Sequence, residues 1–289
     1  MSASAPSPSI PAPASLRQQA LHVLGMADPE RKMALTHALW TELTAVSARG
    51  GDLSAALAPH EALSCDEHRL PGRPPRPELV PPARLAQRSP YTAEGLASLV
   101  HAIAHIEFNA INLGLDAVWR FADMPTDFYR DWLRVADEEA THFALLLGEL
   151  RALGHDYGDF PAHNGLWEMC IKTRHDIVAR MALVPRTLEA RGLDATPLIQ
   201  ARLRKVGSPA ALRTVAALDI ILRDEVGHVA IGNRWYGWLC QRQGLDPLAH
   251  YRVLARRHEA PRPRPPFNVE ARQQAGFTAE ELDYLHGAG

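Results

Sequence analysis

Between Thr92 and Arg242 the apolar residues return every three or four positions in four successive stretches, the spacing that lines one face of a helix. The first, from Thr92 to about Ala122, places Val100, Ile103, Ala104, Ala110, Ile111 and Gly114 on one side. The second opens at Thr126 as N-cap and runs to about Leu153, where Gly154 closes it; its stripe is Trp132, Val135, Ala136, Phe143 and Leu146. The third spans about Leu166 to Arg191, with a kink expected at Pro185. Residues 192–197, from Gly192 to Pro197, then interrupt the pattern, and Leu198 to Val206 resumes it. The fourth has Ser208 as N-cap and Pro209 at the first position, carries Leu218, Ile221, Leu222, Val229 and Gly232, and stops at Gly244. An all-α fold follows, with residues 92–243 as a four-helix bundle.

Outside the bundle, Ser15 to Met26 predicts a short helix, and Asp28-Pro29 starts another that runs to about Ser47 before Gly50-Gly51. Residues 50–91 hold eight prolines and predict an extended belt lying on the bundle, which with the two helices makes an N-terminal part, 15–91. Residues 1–14, rich in Ala, Ser and Pro, predict a disordered tail. Residues 244–289 predict a charged, Pro-rich C-terminal extension that closes with a small helix announced by the capping box Thr278-x-x-Glu281.

Four carboxylates and two histidines break the apolar faces: Glu107 in the first helix, Glu139 and His142 in the second, Glu189 in the third, Glu225 and His228 in the fourth. A buried carboxylate is costly unless it is hydrogen-bonded, charge-paired or bound to metal. The heights of the four coincide. Glu107 and Glu139 are 32 residues apart about a midpoint of 123, beside Met124-Pro125, and Glu189 and Glu225 are 36 apart about 207, at Gly207-Ser208-Pro209. Two antiparallel hairpins would lift all four about 24 to 27 Å from their turns, at about 1.5 Å per residue. Glu, Glu-x-x-His, Glu, Glu-x-x-His at one level of a bundle is the donor set of dinuclear iron and manganese carboxylate sites. Oxygen and imidazole donors suit those metals, so the expected cofactor is two iron ions or a manganese/iron pair, with Glu139 and Glu225 as candidate bridges.

Each of these residues has a plainer reading. A single inward Glu-His pair is more often a hydrogen-bonded core pair than a ligand set; four matched elements at one level reverse that. Glu189 reaches mid-bundle only if residues 198–206 continue its arm, and Glu168 and His175, seven-residue steps away on the same face, compete with it. His101 and His105 lie on another face of the first helix, as supporting or surface residues. Asp137 and Asp224 are candidates to orient ligating histidines. Arg174, Arg180 and Arg186 are either an anion-recognising set or a solvated face, with the solvated face favoured.

Composition narrows the classes. A net charge of -2 argues against a protein that coats nucleic acid or an anionic membrane. Cys65, Cys170 and Cys240 are scattered, which indicates neither a disulfide framework nor a thiolate zinc site and fits a cytoplasmic location. No apolar run of membrane-spanning length occurs.

The stretches Ala104-His105-Ile106-Glu107, Ala136 to Phe143, Leu183 to Gly192 and Arg223 to His228 resemble the ferritin-like superfamily, and more narrowly a bacterial ferritin-like family catalogued as a domain of unknown function. Together they span 92–243, about half the chain. Leu188-Glu189-Ala190-Arg191 is similar to the third-helix ligand segment of the di-iron tRNA hydroxylase acting on methylthio-isopentenyl-adenosine, which implies that Glu189 is the ligand. The resemblance implies a di-iron fold but no particular reaction, because this scaffold hosts hydroxylases, peroxidases and iron stores. The leading expectation is an O2-activating oxidoreductase or hydroxylase acting on a small molecule or nucleoside with an electron donor, as a possible homodimer. A ferroxidase or iron store, which needs a hollow multi-subunit shell, and a metal-free helical interaction protein are the alternatives.

Overall fold

The computed structural model describes residues 14–287, so the expectation for the first thirteen residues lies outside the described part. Among the described residues the fold is all-α, with twelve α-helices and one isolated parallel bridge, Leu79 to Ala162. Four helical arms position the site. α4 (Ala93–Arg120) and α5 (Thr126–Ala152) form the first hairpin; α9 (Pro209–Gln243) pairs with an arm built from α6 (Gly165–Lys172), α7 (Ile177–Leu183), a π-helical turn (Val184–Glu189) and α8 (Ala190–Val206). Both hairpin turns fall where the spacing places them. Thr92 caps α4 by accepting the Gly95 N–H, Ser208 caps α9 by accepting the Ala211 N–H, and Gly207 and Gly244 close α8 and α9 with positive φ. Thr126 is the first residue of α5 and not its cap; Pro125 takes that place without a side-chain bond.

Close approach between arms depends on two glycines. A Cβ at Gly114 of α4 would meet the Ala136 Cβ of α5 at 3.0 Å, and one at Gly232 of α9 would lie 2.5 Å from the Cβ of Pro185 in the π-helical turn. The helices therefore approach closely about 10 Å along the axis, at about 1.5 Å per residue, from Glu107 and Glu225.

The third arm differs from its expected form in two places. It breaks at residues 173–176, where Asp176 caps α7 by accepting the Ala179 N–H, and it does not break at Gly192 to Pro197. Pro197 lies inside α8 because the carbonyl it leaves without an N–H partner, that of Leu193, accepts from the Asn268 side chain at 3.2 Å. Asp194, inside the expected interruption, holds Arg272 at 2.6 Å.

The N-terminal helices α1 (Leu16–Leu24) and α2 (Pro29–Ala48) pack on α4 and α5. The belt carries one short helix, α3 (Leu53–Leu57), and is otherwise irregular apart from two 3-10 turns; Val80 donates to Ala162 at 2.8 Å, binding it to the loop after α5. The C-terminal segment is more helical than its prolines suggest: α10 (Pro247–Arg257) and α11 (Val269–Gln274) precede the expected α12 (Ala279–Gly287). The capping box at its start is formed, with Thr278 N–H on Glu281 at 2.9 Å and Glu281 N–H on the Thr278 hydroxyl at 3.3 Å. No helix of the described residues is long and apolar enough to cross a membrane.

Candidate metal centre

Glu107, Glu139, His142, Glu189, Glu225 and His228 are all buried, His142 and His228 completely. Ligand atoms of Glu107, Glu139, His142 and Glu225 lie within 4.8 Å of one another. The His142 Nδ1 stands 3.3 Å from both Glu107 Oε2 and Glu139 Oε2, while His228 Nδ1 stands 2.9 Å from Glu139 Oε1 and 3.7 Å from Glu225 Oε1. Glu139 thus touches both imidazoles, one oxygen to each. Glu189 enters from the end of the π-helical turn, where Glu225, Glu139 and His228 act on its charge.

The outer nitrogens of the two imidazoles are held crosswise. His142 of α5 sets its Nε2 3.2 Å from Asp224 of α9, and His228 of α9 sets its Nε2 2.8 Å from Glu138 of α5. The residue before the glutamate in each Glu-x-x-His word therefore fixes the histidine of the other word. With Nε2–H donating outward, each Nδ1 presents its lone pair to the carboxylates, the tautomer a metal ligand requires. Asp137, the other candidate for such a role, faces His37 of α2 at 2.6 Å instead. Nothing in the sequence singles out Glu138, which adjoins Glu139 and lies a third exposed, a position that on a helix reads as solvated surface.

Several of the inward atoms have no partner. Glu107 Oε2, Glu139 Oε1, Glu189 Oε2, Glu225 Oε2 and His228 Nδ1 are buried without a hydrogen bond, although Glu139 Oε1 and His228 Nδ1 are neighbours. Their approach lacks hydrogen-bond direction. Leaving that many polar atoms orphaned at one place is expensive, each costing about 1 to 3 kcal/mol. A cation that accepts their lone pairs removes the cost, and the donor set of carboxylate oxygens and imidazole nitrogens fits a hard or borderline divalent metal.

Electrostatics agree. Burial, aided by the Glu139 charge, pushes the Glu107 carboxyl well above its ordinary range; burial together with Glu225 and Glu139 does the same to Glu189, and Glu225 is raised by burial and Glu139. Burial also opposes ionisation of Glu139, but the two imidazoles outweigh it and hold that carboxyl well below the usual range. His142 is desolvated, yet the Glu107 and Glu139 carboxylates beside it push it up to about 11, and His228 is raised well above normal against its own desolvation. One ionised glutamate between two imidazoliums, with three carboxyls inclined to keep their protons, is how this cluster limits its charge without metal.

The competitors for the site lie elsewhere. Glu168 and His175 are exposed, because the break at 173–176 removes the uninterrupted helix that would have turned them inward. His101 and His105 are buried away from the cluster against the loop after α5: His101 Nε2 accepts the Gly158 N–H at 2.9 Å, and His105 Nδ1 meets the Tyr157 hydroxyl at 2.8 Å. Burial lowers them to about 4 and about 3, so both are neutral. Arg180 and Arg186 belong to neither the solvated face nor a free anion-binding set: both are buried, on Asp116 and Glu281 respectively. Arg174 stays near the surface, 3.7 Å from Glu67.

The sequence profile of a family described as a protein of unknown function (DUF455) matches residues 25–283. An uncharacterized protein of Haemophilus influenzae is 52% identical over 220 residues, which cover 74% of this chain and 75% of the relative. No solved structure gives a significant match.

Proposed function

The chain belongs to the DUF455 family, and from that premise we propose that its buried cluster holds two metal ions, iron or a manganese/iron pair, in a ferritin-like bundle that activates O2. One ion would rest on Glu107, Glu139 and His142, the other on Glu189, Glu225 and His228, with Glu139 and Glu225 as the bridging candidates. The observation that carries this reading is the crossed pair of struts, Asp224 on His142 and Glu138 on His228, which turn both Nδ1 atoms toward carboxylate oxygens that have no other partner. A hydrogen-bonded core pair would not orphan its own oxygens.

Bound iron would supply electrons to O2 and open positions at which O2 is activated. The chain's residues do the rest. Phe108 and Phe143, each adjacent in sequence to a ligand, are buried and pack against one another and against Tyr157. Glu107, Glu189 and Glu225, whose carboxyls hold protons unusually well in the empty cluster, would give them up when metal binds. The substrate class that suits such a site is a small molecule or nucleoside, with an external electron donor; the expected location is cytoplasmic.

Oxygen uptake separates this from iron storage. Protein loaded anaerobically with Fe(II) is expected to consume about one O2 per two irons and then stop, as a small oligomer on a calibrated sizing column. Continued uptake of iron far beyond two per chain, in a large shell, would overturn the oxidoreductase reading.

A further inference from the structure

Three of the four ligand-bearing arms are uninterrupted α-helices through their ligands, so the regular hydrogen-bond ladder fixes Glu107, Glu139 and Glu225. Glu189 has no such support. It ends a π-helical turn that contains Pro185 and leads into a helix that contains Pro197, and both features break the ladder on either side of it. Such a turn persists only where its surroundings over-determine it.

Much of that determination comes from residues 251–281. Arg186, three residues before Glu189, is buried on the Glu281 carboxylate and lies over the Tyr251 and Phe277 rings at 5.6 and 4.8 Å. The Thr187 hydroxyl donates to Ala182 O at 2.8 Å and meets the Tyr251 hydroxyl at 3.1 Å. After Glu189, Arg272 donates to Ala190 O at 3.3 Å and to both oxygens of Asp194, and Asn268 serves the Leu193 carbonyl that Pro197 leaves open. From Arg186 to Asp194 the side-chain bonds thus reach into the C-terminal segment from both sides of the ligand.

Resting on the dinuclear reading above, we infer that this segment is a clamp for one ligand: Glu281 and Arg272 are positioning residues that hold Glu189 against the second metal ion. The C-terminal extension is then part of the metal site and not merely a cover for the bundle. Losing its grip costs the ion that Glu189 holds and spares the ion on Glu107, Glu139 and His142.

The test uses the full chain and Mn(II) as probe, counting bound ions by equilibrium dialysis and reading their coupling by EPR. Glu281→Gln keeps the capping-box acceptor but removes the charge facing Arg186, and Asp194→Asn does the same opposite Arg272. Each is expected to weaken the second Mn(II) by about ten-fold or more while leaving the first unchanged, and to replace the coupled spectrum by a mononuclear one, as Glu189→Gln itself does. Glu281→Asp, which retains the charge, should recover part of the coupling. If both neutral variants bind two ions with wild-type affinity, or lose both ions equally, the clamp is wrong while the dinuclear reading stands. A wild-type chain that binds no Mn(II) overturns both. Because the two substitutions act at separate contacts, poor folding of one leaves the other decisive.

Discussion

Glu138 and His228 stand ninety positions apart on different helices, yet the carboxylate of one accepts the Nε2–H of the other at 2.8 Å. With the reciprocal contact of Asp224 and His142, it ties α5 to α9 outside the ligand cluster and decides which nitrogen each histidine presents to it. Loss of such an orienting carboxylate typically costs about 10- to 100-fold in metal affinity. Glu138→Gln and Asp224→Asn are expected to show that loss with little change in helix content. Asp137→Asn, which removes only the contact to His37, should bind metal as wild type does. Equal affinities in all three variants, measured by competition with a chromogenic chelator, would speak against the tautomer assignment.

Metal loading should release protons. Without metal, Glu107 and Glu189 sit well above their ordinary range, Glu225 is raised, His142 is at about 11 and His228 is well above normal, so several protons are held near pH 7. Ligation requires ionised carboxylates and neutral imidazoles, and groups that hold protons compete with the metal. Affinity should therefore rise with pH across pH 6 to 8, with log K climbing by more than about one per pH unit. A flat profile would mean that the cluster is already deprotonated before metal arrives.

Gly232 is expected to be intolerant of a side chain. Its added Cβ would sit 2.5 Å from Pro185 Cβ and 2.6 Å from its Cγ, so Gly232→Ala must push the π-helical turn away from α9. Overpacking of that kind costs about 1 to 3 kcal/mol, read as a fall in Tm of roughly 2 to 4 °C for each kcal/mol. Gly237→Ala in the same helix meets nothing within 4 Å and should be stabilising by about 0.5 to 1 kcal/mol. The same Tm for both variants would show that the turn has room to move.

Lys32 gives a separate pH signature. Its ammonium is buried between the Gly72 carbonyl and Asn112, and burial, with Arg73 adding to it, lowers it to about 7. The group binds its proton less well folded than unfolded, where it titrates near 10.5. Stability from this group is therefore fully present above pH 10.5 and lost as pH falls toward 7. Between pH 7 and 9.5 the wild-type chain should gain on the order of 3 kcal/mol relative to Lys32→Met, measured by urea unfolding at each pH. Parallel curves for the two proteins would show that Lys32 keeps its proton across that range.

How much of this is legible in the sequence follows from what each residue depends on. The hairpin turns and the meeting of Glu107, Glu139 and Glu225 depend on periodicity and on local punctuation such as Ser208-Pro209, so they can be read directly. The interruption expected at Gly192 to Pro197 is absent because Asn268 and Arg272, some seventy-five residues away, supply the bonds that Pro197 and Asp194 would otherwise disrupt. Local signals for breaking a helix were correct in kind and were outweighed by a distant partner. The exposure of His175 has a local cause instead: Asp176 caps α7 by accepting the Ala179 N–H, and the break before that cap leaves His175 facing outward. Glu138 stayed hidden since its partner lies on another helix and its own position looks solvated.

The most direct measurement is the metal content of the protein purified without added metal, by elemental analysis, beside Glu139→Ala. Glu139 is the carboxylate that reaches both imidazoles, so its loss should empty both positions. The account predicts near two iron, or manganese plus iron, per wild-type chain and close to none in the variant. A wild-type chain free of metal after exposure to both ions, or a variant that keeps its full complement, would contradict it.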